Sequence, residues 1–320
     1  MGNAVASGTG GTAGVFVAVP SYNHAPFIEE CLRSIFAQTL APRKLLVIDD
    51  GSKDGSPAII ERVLKECPFD SELVVRENRG LCRTLNQALE ASNGEYFAYI
   101  GSDDLWLPEF LAARCDMMER RPEAVLGYGH AYLVNEAGER FDRTDDHTDE
   151  WANYPDGDAR PMLLEGIAPI SSSIFYRRSV LETVRWNEDA RLEDYEMYLR
   201  LMNLGEFAFD PRVLSAWRIH GYNTSKNGRL MLSEILSAQA RNREAIGASN
   251  EQFDVIQRRT KFRHARIELQ HGNKASAFRL ASENWRGARS ASQLIRFAMR
   301  FFIPMNVVEF IRRRRRTPIS

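Results

Sequence analysis

The sequence predicts an α/β protein, a mostly parallel sheet flanked by helices on both faces, followed by an all-helical C-terminal extension. Three observations carry this reading. From Val15 to about residue 134, short apolar runs alternate with segments of helical period. Each early run ends in a cluster of Asp, Asn, Ser or Gly, and beyond about residue 228 only helical periodicity remains. Strands alternating with helices imply right-handed crossovers, hence parallel neighbours covered on both sides.

Taken in order, Val15–Val19 reads as the first strand and Leu45–Ile48 as the second. Between them Phe27, Ile28, Cys31, Leu32, Ile35 and Phe36 recur with helical spacing. A helix is expected over 57–66, with Ile59, Ile60, Val63 and Leu64 inward, then a strand near Leu73–Arg76, a helix over 81–91 and a strand at Tyr96–Ile100. A helix over about 107–120 and a strand over about 124–134 follow. The acidic stretch FDRTDDHTDEWANYPDGD at 141–158 is expected to be a mobile loop. After it come a short helix from 161, the segment ISSSIFYRRS, a helix opening near Glu193 and a strand-like FAFDPRVLSAWRIH ending at His220. The expected divisions are a disordered 1–14, a sheet domain over 15–225 and a helical region over 226–320 with a basic amphipathic tail.

A chain of 320 residues, 44% hydrophobic and 27% charged, has room for a sizeable core. Its formal net charge of −1 hides a division. Residues 1–225 carry 22 basic and 36 acidic side chains, a net of −14, whereas 226–320 carry 20 and 7, a net of +13. Cys31, Cys67, Cys82 and Cys115 show neither metal-ligand spacing nor a disulfide pattern, which suits reduced thiols in a cytoplasmic protein. The small, polar first 14 residues lack the charged and apolar parts of a secretory signal. No uncharged apolar run approaches the roughly 18 residues that span a bilayer.

In open α/β sheets ligands sit beyond the carboxyl ends of the strands, and the polar clusters fall there. They are Pro20-Ser21-Tyr22-Asn23, Asp49-Asp50-Gly51-Ser52, Glu77-Asn78-Arg79-Gly80 and Ser102-Asp103-Asp104. Taken singly, each is ordinary turn or helix-cap chemistry; four at four successive strand ends point to a shared site. The glycine fingerprint of a dinucleotide fold is missing after the first strand.

VPSYNHAPFIEECLRSIFAQT, VIDDGSKDGS, ENRGLCRTLNQAL, YIGSDD, LEDYEMYLRL and WRIHGYNTS, in that order over about two thirds of the chain, resemble the successive motifs of the family 2 glycosyltransferases. The resemblance implies a GT-A fold, a nucleotide-sugar donor, with UDP expected, and transfer with inversion. Tyr22 would lie against the nucleobase, in a wall shaped by Pro20, Ser21 and Asn23. Asp50, with Asp49, would accept hydrogen bonds from base or ribose. Ser102-Asp103-Asp104 matches the family's D-x-D position with serine first, so the aspartate pair would hold Mn²⁺ or Mg²⁺. Asp104 would be the foremost ligand and Asp103 would lie nearer the ribose; His220 would complete the metal shell or touch the diphosphate. Asp194 would be the general base, favoured in ionised form by a helix N-terminus, with Glu193 beside it or on the acceptor. Arg83 would reach the nucleotide or remain a solvated helix-face arginine.

QLIRFAMRFFIPMNVVEFIRRRRR sets apolar residues among arginines. Residues 294–316 are expected to lie on an anionic membrane at the inner face of the cell membrane, or to pack against protein. A membrane contact would make a lipid-linked saccharide a natural acceptor, beside a plain saccharide. No nucleic-acid module accompanies the arginines. Two other readings remain at this point. A sugar nucleotidyltransferase would want a basic glycine loop that PSYNHAP does not supply, and a binding protein without catalysis would not need Asp103, Asp104, Glu193 and Asp194.

Overall fold

A computed structural model describes residues 14–146, 154–303 and 307. Its strands are β1 (Val15–Ser21), β2 (Lys44–Asp49), β3 (Ser71–Val75), β4 (Tyr96–Tyr99), β5 (Leu105–Trp106), β6 (Ala124–Val134), β7 (Arg140–Arg143), β8 (Phe175–Arg177) and β9 (Glu206–Arg218). The helices up to the end of the sheet are α1 (Ile28–Phe36), α2 (Ser56–Leu64), α3 (Leu81–Ala91), α4 (Phe110–Glu119), α5 (Arg160–Leu163), α6 (Arg178–Val184) and α7 (Asp194–Leu201). Then follow α8 (Gly228–Arg241), α9 (Arg243–Ile246), α10 (Asn250–Gln270), α11 (Lys274–Asn284) and α12 (Ala291–Phe301).

The sheet runs β3-β2-β1-β4-β8-β6-β9-β5, with β7 on the free end of β6. β1 to β4 are mutually parallel, and β6 lies parallel to β9. The short strands β5, β7 and β8 pair antiparallel, so the sheet is mixed. β1 feeds β2 on one side, while β3 crosses back to place β4 on the other. That reversal opens a crevice at the carboxyl ends of β1 and β4.

β1 shows why the sequence reads as a central strand. Val15, Val17 and Val19 pack with Ile28, Cys31, Leu32 and Ile35 of α1 on one face. Phe16 and Ala18 pack with Leu85 and Leu89 of α3 on the other. Successive side chains point to opposite faces, so only a continuous apolar run can satisfy both layers. The helical region shares this core: Ile235, Ala238, Ile246 and Ile256 belong to the same cluster as β1 and α7. Only the outer end of the helical region has its own small cluster, around Phe262, Ala265 and Ala281.

Some expectations change. Part of the stretch expected to be a mobile loop is ordered: Arg140–Arg143 form β7, Thr144–Asp146 a 3₁₀ turn, and Gly157 bridges to Phe207. Residues 147–153 fall outside the described residues. So do residues 1–13 of the expected disordered leader and Arg312–Arg316, whereas the carbonyl of Gly14 already accepts from the N–H groups of Glu95 and Tyr96. All four cysteines are free. Among the described residues no helix is long and apolar enough to cross a membrane.

Candidate active site

The mouths of β1 and β2 are laced together. Asn23 takes a left-handed backbone (φ 54°), which its short polar side chain tolerates. Its N–H donates to Ser52 Oγ (2.8 Å), and its Oδ1 accepts from the N–H of Lys53 (2.8 Å). The next turn is fixed by the N–H of Ala25 donating to Asp54 Oδ2 (2.9 Å). Held this way, Tyr22 stands out from the wall, 48% exposed.

The two aspartates of β2 have different places. Asp49 is fully buried, and its carboxylate accepts from Ser52 N–H, Ser52 Oγ and Ser21 Oγ. It shapes the wall from behind. Asp50 binds the third strand-end cluster: Arg76 pairs with its Oδ1, which also accepts from Arg79 N–H (2.8 Å), while Gly80 N–H reaches Oδ2 (2.8 Å). Gly51 permits that approach, since a Cβ there would stand 2.8 Å from the backbone nitrogen of Asn78.

Arg218, at the end of β9, gathers the other half. It is fully buried, a costly place for a charge unless its donors are all met. Its Nε donates to the carbonyl of Asp103 (2.8 Å), and Nη1 to the carbonyls of Asn135 (3.2 Å) and Glu136 (3.1 Å). Nη2 meets Glu30 of α1 (2.6 Å), and the guanidinium lies 5.1 Å from the centre of the Phe27 ring. Its backbone N–H donates to Asp104 Oδ1 (2.9 Å). Asp104 is therefore buried and turned to the protein interior; burial, and then the charge of Asp103, raise its carboxyl well above the usual range.

Asp103 faces the other way. One ring nitrogen each of His24 and His220 and a carboxylate oxygen of Asp103 all lie within 4.8 Å of one another. Asp103 Oδ2 is 2.8 Å from His220 Nε2, and Oδ1 is 3.8 Å from His24 Nδ1, which also meets Ser102 Oγ at 2.8 Å. Burial works against the Asp103 charge, but the hydrogen bond from His220 and the nearby His24 outweigh it and hold the carboxyl below its ordinary range. Burial depresses the His24 imidazole despite Asp103, so His24 stays neutral near pH 7, the form that ligates a metal. Two imidazoles and a carboxylate fit a divalent cation; the mixed donors suit Mn²⁺ better than Mg²⁺, which prefers an all-oxygen shell. The N–H of Tyr222 donates to His220 Nδ1 (3.2 Å), so the neutral ring carries its proton on Nε2, toward Asp103.

Glu193 and Asp194 approach from α7. Glu193 immediately precedes the helix and Asp194 opens it. The hydroxyl of Tyr99, on β4, donates to Glu193 Oε1 (3.3 Å). Both carboxylates keep some solvent contact, and their charges reach the buried hydroxyls of Tyr176 and Tyr198. Burial, then the charge of Asp194, pushes Glu193 up to about 8, and burial raises Asp194 while the N–H of Tyr195 opposes it. Asp103 adds to the shift of Glu193, and Glu193 to that of Asp104. The two acidic pairs therefore bear on a common space at the end of β4.

Other predicted residues sit apart or serve the frame. Arg83 projects from α3 into an exposed ion pair with Glu188 (3.0 Å). Pro20 and Ser21 complete β1. Sequence reasoning gave no part to His24, Arg76 or Tyr99, and did not see Arg218 as the clamp. The signals were faint. His24 follows directly on the Tyr22-Asn23 pair, and Arg218 lies two residues before His220.

The glycosyl transferase family 2 model matches residues 16–185. An uncharacterised glycosyltransferase of Nostoc sp. is 25% identical over 80% of this chain and 79% of its own length. The chain spans 35% and 50% of the length of two other curated relatives. Among solved structures, a mannosyltransferase of Pyrobaculum calidifontis in complex with GDP-Man and Mn²⁺ superposes with a TM-score of 0.59 at 22% identity, covering 89% of this chain and 78% of that one. S. aureus TarS 1–349 in complex with UDP-GlcNAc gives 0.57 at 18% identity, covering 82% and 75%. The mixed sheet with its flanking helices is thus the GT-A fold. With a family match that takes in the first four strand-end clusters and more than half of the sequence, this chain belongs to glycosyl transferase family 2.

Proposed function

We propose that this enzyme transfers a sugar from a nucleotide-sugar, a UDP-sugar foremost, to an acceptor hydroxyl with inversion at the anomeric carbon. One observation supports the reading: the charge of Asp103, in the His24–Asp103–His220 cluster, bears on Glu193, which Tyr99 holds at the end of β4 beside Asp194. An in-line displacement needs a cation at the leaving group and a base at the nucleophile, on opposite sides of one carbon, and these two groups would supply them. A divalent cation held by His24, Asp103 and His220 would supply positive charge for the departing diphosphate.

The chain's own residues do the rest. Tyr22 offers an exposed ring to a nucleobase, and Asp50 fixes the 76–80 loop, which would close the other side of that pocket. Asp194 takes the proton of the acceptor hydroxyl as attack proceeds. Glu193, pushed up to about 8 by burial and then by the charge of Asp194, is protonated near neutrality and can donate to an acceptor oxygen. The acceptor is a saccharide, free or lipid-linked, with residues 294–316 as a peripheral membrane contact.

Screening nucleotide-sugars for Mn²⁺-dependent hydrolysis tests the reading. Asp194→Asn is expected to lower turnover by ~10²–10⁴-fold while nucleotide binding, followed by titration calorimetry, changes little. Undiminished turnover by that variant would remove Asp194 as the base.

A further inference from the structure

The charges of Glu193 and Asp194 reach a group of buried phenols of which the proposed reaction uses none directly. Tyr99 of β4, Tyr176 of β8 and Tyr198 of α7 belong to one core cluster, each exposed by 2% or less. The Tyr99 and Tyr176 rings stack at 6.3 Å, nearly parallel, and the Trp186 ring stands edge-on to both. Tyr99 donates its hydroxyl to Glu193. The hydroxyls of Tyr176 and Tyr198 meet no hydrogen-bond partner among the described residues. A buried hydroxyl without a partner is costly, so two of them beside an acid pair call for an acceptor.

Asp194 fits that need. It opens α7 and Tyr198 follows four residues later, so the two share one face of the helix. A helical side chain leans back toward the N-terminus, which carries the Tyr198 ring toward Asp194. From the strand side, Asp194 is the foremost charge acting on Tyr176. The Asp194 carboxylate is itself short of donors: it meets only backbone N–H groups, that of Tyr195 at Oδ1 (2.5 Å) and its own. Burial raises its carboxyl, whereas a general base has to be ionised.

We infer that Tyr176 and Tyr198 are positioning residues for Asp194: their hydroxyls donate to its carboxylate, aiming it and stabilising its charged form, while Tyr99 keeps Glu193 in place. The inference rests on the proposed role of Asp194 as base and says what holds that base ready.

Aspartate-selective ¹³C-carboxyl NMR of the metal-free chain follows Asp194 through pH, with its resonance assigned by Asp194→Asn. The titratable groups around it are Glu193, Tyr99, Asp103 and Asp104 at the end of β4, and Cys82 of α3; none is altered in the variants. Losing a donor disfavours the ionised form. Tyr176→Phe and Tyr198→Phe are therefore each expected to raise the Asp194 midpoint by about one pH unit. The acid limb of kcat for donor hydrolysis should move up with it, lowering turnover at pH 6 by up to about tenfold, with recovery as pH rises and with KM for the nucleotide-sugar unchanged. Tyr96→Phe is the control. It removes another buried, unpartnered hydroxyl, one under the charges of Glu95 and Arg177 instead of the acid pair, and should leave the midpoint in place. A midpoint unmoved in either of the first two variants, or moved as far in the control, overturns the inference. So does a turnover lowered by one factor at every pH, which marks a packing role. Should Asp194→Asn keep its turnover, the base reading falls, and the carboxyl titration still decides whether the two hydroxyls bind Asp194.

Discussion

Glu193 sits beside the proposed base with its carboxyl pushed from an ordinary 4.5 up to about 8, first by burial and then by the charge of Asp194. Between those two values the folded chain binds a proton that the unfolded chain has lost. Folding therefore weakens as pH rises through that window, by up to ~1.4 kcal/mol per pH unit. Glu193→Gln removes the penalty. In thermal unfolding with chelator present, the variant's advantage over wild type is expected to grow from pH 5 to pH 8 and then level off. An advantage independent of pH would show that Glu193 ionises normally. The strand-end acids were legible at this scale because turn-forming residues interrupt apolar runs. Their individual places were not. Whether Asp103 or Asp104 faces the histidines depends on the direction of one turn after β4, and on a backbone donor from Arg218, which lies 114 residues away in sequence.

At the scale of elements, the segment after β9 joins the histidine cluster to a loop. His220 Nδ1 accepts from the N–H of Tyr222, and the N–H of His220 itself donates to Asn223 Oδ1 (2.6 Å). If Nε2 is to bind a cation, its proton must move to Nδ1, which can then no longer accept from Tyr222. Metal binding is thus expected to loosen the 221–223 turn. Hydrogen–deuterium exchange of the Tyr222 amide should speed up several-fold on adding Mn²⁺, and unchanged exchange would mean that His220 is not a ligand. The long elements of the sheet could be read from period alone, α3 and β6 within a residue or so. β5, β7 and β8 span only two to four residues each, too few for any periodicity, and they form because neighbouring strands leave unpaired backbone edges.

Over the whole molecule, the composition break near residue 225 is real in charge and in secondary structure, but no gap in the core accompanies it. Gln239 of α8 donates to the hydroxyl of Tyr195 on α7 (3.0 Å) and to Thr260 Oγ1 on α10 (2.9 Å). Tyr195 in turn donates to the carbonyl of Leu163 (2.6 Å). A chain ended at residue 225 would uncover the Tyr195 face and the apolar residues around α7, and is expected to aggregate or unfold without cooperativity. One ended at residue 290 loses only α12 and the residues beyond it, and should keep a single cooperative melting transition. Gel filtration and calorimetric melting of the two truncations decide between shared and separate cores. Charge asymmetry was visible in the sequence; which helices complete the sheet domain was not, because apolar spacing on a helix says that a face is buried without saying against what.

β4 is only four residues long, yet its last tyrosine grips the acid that flanks the proposed proton acceptor, and the turn straight after it presents the acid that meets the two imidazoles. On the proposed reaction, the distance between nucleophile and leaving group would be set by a rigid ruler in the middle of the sheet. Changes of sugar or acceptor preference would then have to arise in the surrounding loops, since lengthening or bending this ruler would misalign both ends of the reaction at once.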